Sequence, residues 1–132
     1  MALTVVDAGI IIAVLNPADA HHTAATEALS NALASGEAVV LPVSAYSEVL
    51  VAPFRHNLES AAVVDSFIDT MPATLQPITR EIARAAAQLR AQHGRLRLPD
   101  ALVIATALEL SADRLLTTDR RWPEVGVKVA SI

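Results

Sequence analysis

Apolar residues fall in short runs, and the period of those runs changes along the chain. Leu3 to Val6 and Ala38 to Leu41 are short, mostly apolar runs rich in β-branched residues, which predicts buried strands. Between them, Ile10 to Leu15 reads as a short helix. Asn16-Pro17-Ala18-Asp19 reads as a loop, and Ala20 to Ser35 as a helix capped by Asp19 with Ala, Leu29 and Leu33 inward. Gly36 is placed to end that helix. Ser44 is expected to cap a helix over Ala45 to Ala52, limited or kinked by Pro53. Leu58 to Met71 carries Val63, Val64, Phe67, Ile68 and Met71 at helical spacing, and Pro72 ends it.

The second half continues the alternation. Thr74 to Ile78 holds a third strand, weakened by Pro77. Thr79 caps a helix reaching His93, with Ile82, Ala86 and Leu89 on one face and Gly94 as the stop. Leu98-Pro99-Asp100 opens a helix whose body, Ala101 to Leu110, is apolar nearly all round and so is expected to be buried. Arg114 to Leu116 begins a fourth strand, and Val127 to Val129 a short last one. Short apolar strands alternating with helices predict an α/β fold, with a parallel sheet covered on both faces.

Composition narrows the picture. The chain has 132 residues, enough for a single domain over 1–132 with a real core. It is 53% hydrophobic but only 3% aromatic, so Ala, Val, Leu and Ile must fill the interior. It has no cysteine, which excludes disulfides, thiolate nucleophiles and zinc–sulfur sites and suits a reducing compartment. The first apolar run has no basic flank and is broken by Asp7, so it does not read as a signal peptide. No segment is long and uncharged enough to span a bilayer, and a cytoplasmic location is expected. The formal charge of −4 argues against a general polyanion binder.

Four acids change the reading. Asp7 and Asp119 lie just past strands, and Glu48 and Asp100 near the beginnings of helices. Each has an ordinary explanation as a helix cap or a surface charge. In a parallel α/β fold, however, strand C-termini and the following helix N-termini share one edge of the sheet. Four carboxylates gathered there would repel, and a hard divalent cation such as Mg²⁺ or Mn²⁺ resolves that conflict. The chemistry that follows is metal-assisted phosphodiester hydrolysis.

The motifs carrying these acids run Val5-Val6-Asp7-Ala8, Ser47-Glu48-Val49, Leu98-Pro99-Asp100-Ala101-Leu102 and Leu116-Thr117-Thr118-Asp119-Arg120-Arg121-Trp122. In this order and spacing the chain resembles a PIN domain, specifically a VapC-type toxin ribonuclease of bacterial toxin–antitoxin pairs. The resemblance implies a three-layer α/β/α sandwich with a short central parallel sheet. It also implies a Mg²⁺- or Mn²⁺-dependent endoribonuclease, leaving 5′-phosphate and 3′-hydroxyl ends, and a VapB-like antitoxin that restrains it. By motif match Asp7, Glu48, Asp100 and Asp119 take the four acidic positions, with Asp7 and Asp100 as principal metal ligands. Thr117 matches a small hydroxylated residue before the last acid, expected to orient Asp119 or to end the strand. One departure stands out: Gly9 occupies a position where the family usually carries Ser or Thr.

Other polar and aromatic residues stand near the quartet in the sequence or invite a reading of their own. Arg95 and Arg97 flank the approach to Asp100, and Arg120 and Arg121 follow Asp119, so all four are candidate phosphate contacts on RNA, or simply a solvated rim. His21 and His22 are adjacent on a helix and point different ways, which makes them poor joint ligands. Trp122 reads as a core or lid residue rather than a stacking platform. The Val63 to Met71 stripe reads as core with extra apolar positions for a homodimer or antitoxin surface. Two rivals to the nuclease are a non-catalytic PIN-fold binding module and a phosphoryl-accepting receiver domain. The receiver lacks support because paired N-terminal acids and a lysine before proline are missing; Lys128 precedes valine.

Overall fold

A computed structural model describes all residues, 1–132. Five strands form one parallel sheet: β1 Leu3–Val6, β2 Ala38–Pro42, β3 Ala73–Gln76, β4 Arg114–Thr117 and β5 Val129–Ser131. Six helices lie between them: α1 Ala8–Leu15, α2 His22–Ala34, α3 Val43–His56, α4 Leu58–Thr70, α5 Arg80–Gln92 and α6 Leu98–Glu109. The strand order is β3-β2-β1-β4-β5. The chain therefore builds outward from β1 through β2 to β3, then returns to add β4 and β5 on the other side. Because crossovers are right-handed, reversing direction puts α5 and α6 across the sheet from α1 and α2, while α3 touches both α1 and α6. No helix is long and apolar enough to cross a membrane.

The core follows the sequence pattern. Val5, Val6, Leu41, Leu115 and Leu116 fill the sheet interior, and Ile10, Ile11, Ile82, Val103 and Ile104 cover it. The inward face of α5 is the expected Ile82, Ala86 and Leu89, and Thr79 caps that helix by accepting from the Ile82 N–H at 3.1 Å. The body of α6 is buried nearly all round, as its lack of a polar face requires.

Several boundaries differ from expectation, each for a local reason. The α1 helix begins at Ala8 because the Asp7 carboxylate accepts from the Ala8 N–H, supplying its N-cap. Asp19 does not cap α2 directly. Its carboxylate accepts from the His21 N–H and its carbonyl from the His22 N–H, so it shapes the turn before the helix. Ser44 is not a cap either; α3 starts one residue earlier behind Pro42, and the Ser44 hydroxyl is buried without a partner. Pro53 does not stop α3, which continues to His56 and is closed by the Asn57 N–H bonding to the Pro53 carbonyl. The last strand lies two residues later than expected. Gly126 turns the chain with φ +96°, and Val127 goes into the core before pairing with β4 begins. Ile68 is core, while Val63 is 66% exposed, so the surface part of the α4 stripe is Val63 with the half-buried Phe67.

Gly9, in the first turn of α1, also has a packing reason. A Cβ on Gly9 would lie 2.4 Å from the Thr118 hydroxyl oxygen, so the Thr118 side chain occupies the space that a side chain at position 9 would fill. Gly9→Ala should therefore destabilise the protein, because overpacking costs about 1–3 kcal/mol and outweighs a helix-propensity gain of at most about 1 kcal/mol. With Thr118→Ala already in place the clash is gone, and adding Gly9→Ala should now stabilise. Urea melts of the four proteins of this double-mutant cycle check it; the same sign in both backgrounds would refute the packing account.

Candidate active site

Residues at the C-terminal ends of β1 and β4 meet where the strand order reverses, the place open α/β sheets use for ligands. The β1–β4 ladder pairs Val6 with Leu116, and the Asp7 N–H bonds to the Leu116 carbonyl at 2.9 Å. Asp7 is consequently fixed at the last rung, and only 8% of it is exposed. One carboxylate oxygen accepts from the Ala8 N–H at 2.8 Å, and the other from the Thr117 hydroxyl at 2.9 Å. The Thr117 oxygen in turn accepts from the Asp119 N–H at 3.0 Å. The fully buried Thr117 thus orients Asp119, as one of its two expected roles required, and also holds Asp7, which the sequence did not reveal.

The other acids come from helix beginnings. Glu48 lies in the second turn of α3, and Asp100 in the first turn of α6. Burial pushes the Asp7 carboxyl up to about 6 against the pull of its two hydrogen bonds, and the charges of Asp100 and Glu48 push the same way. Glu48 is raised by burial first and then by Asp100. Asp100 is raised by burial, opposed by Arg97, and raised again by Asp119. Asp100 therefore feels or is felt by all three other acids. Asp119 behaves differently: hydrogen bonding from Arg121 holds it below the usual carboxylate range.

The arginines divide by role. Arg121 grips Asp119 through both its side chain and its backbone N–H, with Nη2 3.2 Å from Oδ2. Arg97 Nε stands 3.8 Å from an Asp100 oxygen. Arg95, Arg97 and Arg121 line a cavity of about 550 Å³ that also includes Asp100, Asp119 and Trp122. Arg120 is exposed and lies outside that cavity. Trp122 is half-buried against the core while bordering the cavity, so it joins the site's wall. The Thr118 hydroxyl lies over Gly9, a contact that the sequence did not single out; only the Thr-Thr pair before Asp119 hinted at it. His21 and His22 lie elsewhere: His21 sits 3.5 Å from Asp19, and His22 bonds to the Ala13 carbonyl. No three acidic or imidazole side chains are close enough together to share one ion in this arrangement.

The PIN domain family model matches residues 4–128. No curated protein matches the sequence. Among solved structures, the chain is similar to VapBC2 of Rickettsia felis bound to a DNA fragment from its promoter. That match has a TM-score of 0.78 at 12% identity, covering 98% of this chain and 98% of that one. DNA-bound VapBC of Salmonella typhimurium matches with a TM-score of 0.75 at 16% identity, over 99% and 98% of the two chains. VapC20 of Mycobacterium tuberculosis, a sarcin–ricin loop cleaving toxin, matches with a TM-score of 0.69 at 17% identity, over 85% and 86%. At such identities the likeness is one of fold, and the family rests on the sequence match across nearly the whole chain: this protein belongs to the PIN domain family.

Proposed function

We propose that this PIN domain is a Mg²⁺- or Mn²⁺-dependent endoribonuclease acting in the cytoplasm as the toxin of a toxin–antitoxin pair. The observation that supports the reading is the mutual influence of Asp7, Glu48 and Asp100, which lie just after a strand or near a helix beginning: each is desolvated and each is raised by another acid. Asp100 and Asp119 each stand beside an arginine, while Asp7 is buried and forms no ion pair, which a purely structural site would avoid. Here burial and mutual repulsion are both retained, a cost that a bound divalent cation relieves.

The donor types suit that ion, and the side chains would have to draw together to share it. The set is all carboxylate oxygen, in a chain without cysteine, and hard cations take oxygen ligands. Asp7 and Asp100 would be the principal ligands, with Glu48 and Asp119 completing the set. When bound, the cation would neutralise charge on the scissile phosphate and lower the pKa of an attacking water. The chain's own residues do the rest. Thr117 holds the Asp7 carboxylate in one orientation. Arg97 opposes the rise that burial imposes on Asp100, Arg121 holds Asp119 low, and both set positive charge where a phosphodiester would approach.

The partner reading rests on the VapBC complexes among the similar structures. An antitoxin needs apolar burial, and the α3–α4 hairpin offers it: Phe54 is 53% exposed, Leu58 77%, and Val63 adds to the same pair of helices. An amphipathic segment lying there, with a basic residue reaching the carboxylates, would restrain the enzyme. A homodimer is part of the same proposal.

Three outcomes are expected. Asp100→Asn should fold normally yet lose more than about a hundredfold of Mn²⁺-dependent RNA cleavage, because the amide keeps the volume and loses the charge that holds the cation. Full cleavage by the folded variant would sink the site assignment. Asp7 gives a pH dependence without metal. Its raised pKa means the folded state holds the proton more tightly than the unfolded state. That stability is complete below about pH 4 and lost as pH rises through about 6. In EDTA, Asp7→Asn should therefore melt higher than wild type at pH 7.5, by up to about 3 kcal/mol, and equal to it near pH 4. A lower melt at pH 7.5 would make Asp7 a helix cap before anything else. Phe54→Glu with Val63→Glu should abolish co-purification of the co-expressed antitoxin while leaving cleavage intact; unchanged co-purification would move the docking surface elsewhere.

A further inference from the structure

The cavity beside Asp100 and Asp119 has features that the acids alone do not explain. At about 550 Å³ it lies within the roughly 300–1,000 Å³ of ordinary ligand pockets. Its wall carries three arginines against two carboxylates, in a protein whose net charge is −4. Two of those arginines are engaged: Arg97 beside Asp100, and Arg121 with Asp119. Arg95 is exposed and forms no ion pair, so its charge is the one left for a ligand. Trp122 borders the same space with one side against the core. Its indole N–H is buried and without a partner, so the part of the ring still accessible is carbon. A ring that shows carbon and no donor stacks on bases; it does not read their edges.

We propose that this cavity is a subsite for one unpaired nucleotide of RNA next to the scissile phosphate, with Arg95 holding a backbone phosphate and Trp122 stacking on the base. The proposal rests on the nuclease reading above and adds where the strand lies relative to the acids. Entry requires an unstacked base, so single-stranded segments and loops are accepted and duplex is excluded. Because stacking tolerates every base, the subsite contributes affinity and position with little sequence preference.

Trp122 is the only tryptophan, so its emission reports on the cavity directly. The full chain is titrated in EDTA with a labelled adenylate RNA tetramer, following Trp122 emission and the label's anisotropy together, with inorganic phosphate as a control. Saturable quenching is expected with the tetramer and none with phosphate. Arg95→Ala should weaken binding about fivefold or more and lower the salt slope by about one. Trp122→Phe should bind within about twofold of wild type, and Trp122→Leu about five- to a hundredfold more weakly. If Trp122→Leu does not fold by circular dichroism, wild-type emission and Arg95→Ala decide. Binding with unchanged emission and unchanged Arg95→Ala affinity overturns the subsite, as does a protein that cleaves RNA in Mn²⁺ without binding the tetramer. Cleavage in either case leaves the nuclease reading standing; absence of both binding and cleavage removes the two together.

Discussion

The Thr117 hydroxyl is the contact on which the site depends. Its single proton goes to the Asp7 carboxylate and its oxygen receives the Asp119 N–H, so one buried atom ties the ends of β1 and β4 together. The ladder below it, up to the Asp7 N–H on the Leu116 carbonyl, leaves neither strand free to slide. A buried carboxylate would ordinarily be stabilised by its hydrogen bonds into easy ionisation. Asp7 has two such bonds and is nevertheless pushed up to about 6. Desolvation wins because the sheet interior below it is closed and the neighbouring charges are of the same sign. The site is thus held in a strained electrostatic state by rigid backbone, and either a proton or a cation relieves it.

Alternation of short apolar runs with amphipathic stretches made most elements legible. The face of α5 and the all-round burial of α6 came through residue by residue, because a 3.6 period and its absence are both visible in sequence. Caps were less legible. Ser44 looked like a cap, but Pro42 takes the N-cap position, so Ser44 lies inside the first turn of α3 and its hydroxyl finds no partner. Asp19 fell short because the turn before α2 uses its oxygens two residues early. Strand order cannot be read from periodicity at all. It is set by which crossovers reverse direction, and that reversal places β1 at the centre.

The four acids were legible by type and by their positions at element ends. Their division was not. Asp7, Glu48 and Asp100 are raised while Asp119 is lowered, and the difference comes from Arg121, two residues along the chain and folded back by an Asx-type turn. Arg97 and Arg121 read as a basic rim in sequence, yet in three dimensions they are partners of the acids, and the exposed Arg120 plays no part in the cavity. Gly9 looked like a missing hydroxyl. The space is instead taken by Thr118, a residue more than a hundred positions away that the sequence pairs with position 9 by nothing visible.

Burial of α6 explains why these charges can be held so closely without flexible support. A helix that is apolar on every side is clamped by α5, by α3 and by the sheet, so its first turn cannot move to lengthen the Asp100 contacts. The helix N-terminus offsets part of the charge, but that effect fades within one turn and serves Asp100 alone. Glu48 lies a turn further into α3, and burial raises both acids. Net charge then becomes a poor guide to what the protein can bind. A chain of −4 presents, next to its most acidic point, a wall with more arginine than carboxylate. In the proposed nuclease, arginine at the rim would draw in a phosphate and a cation would relieve the repulsion among the acids behind it.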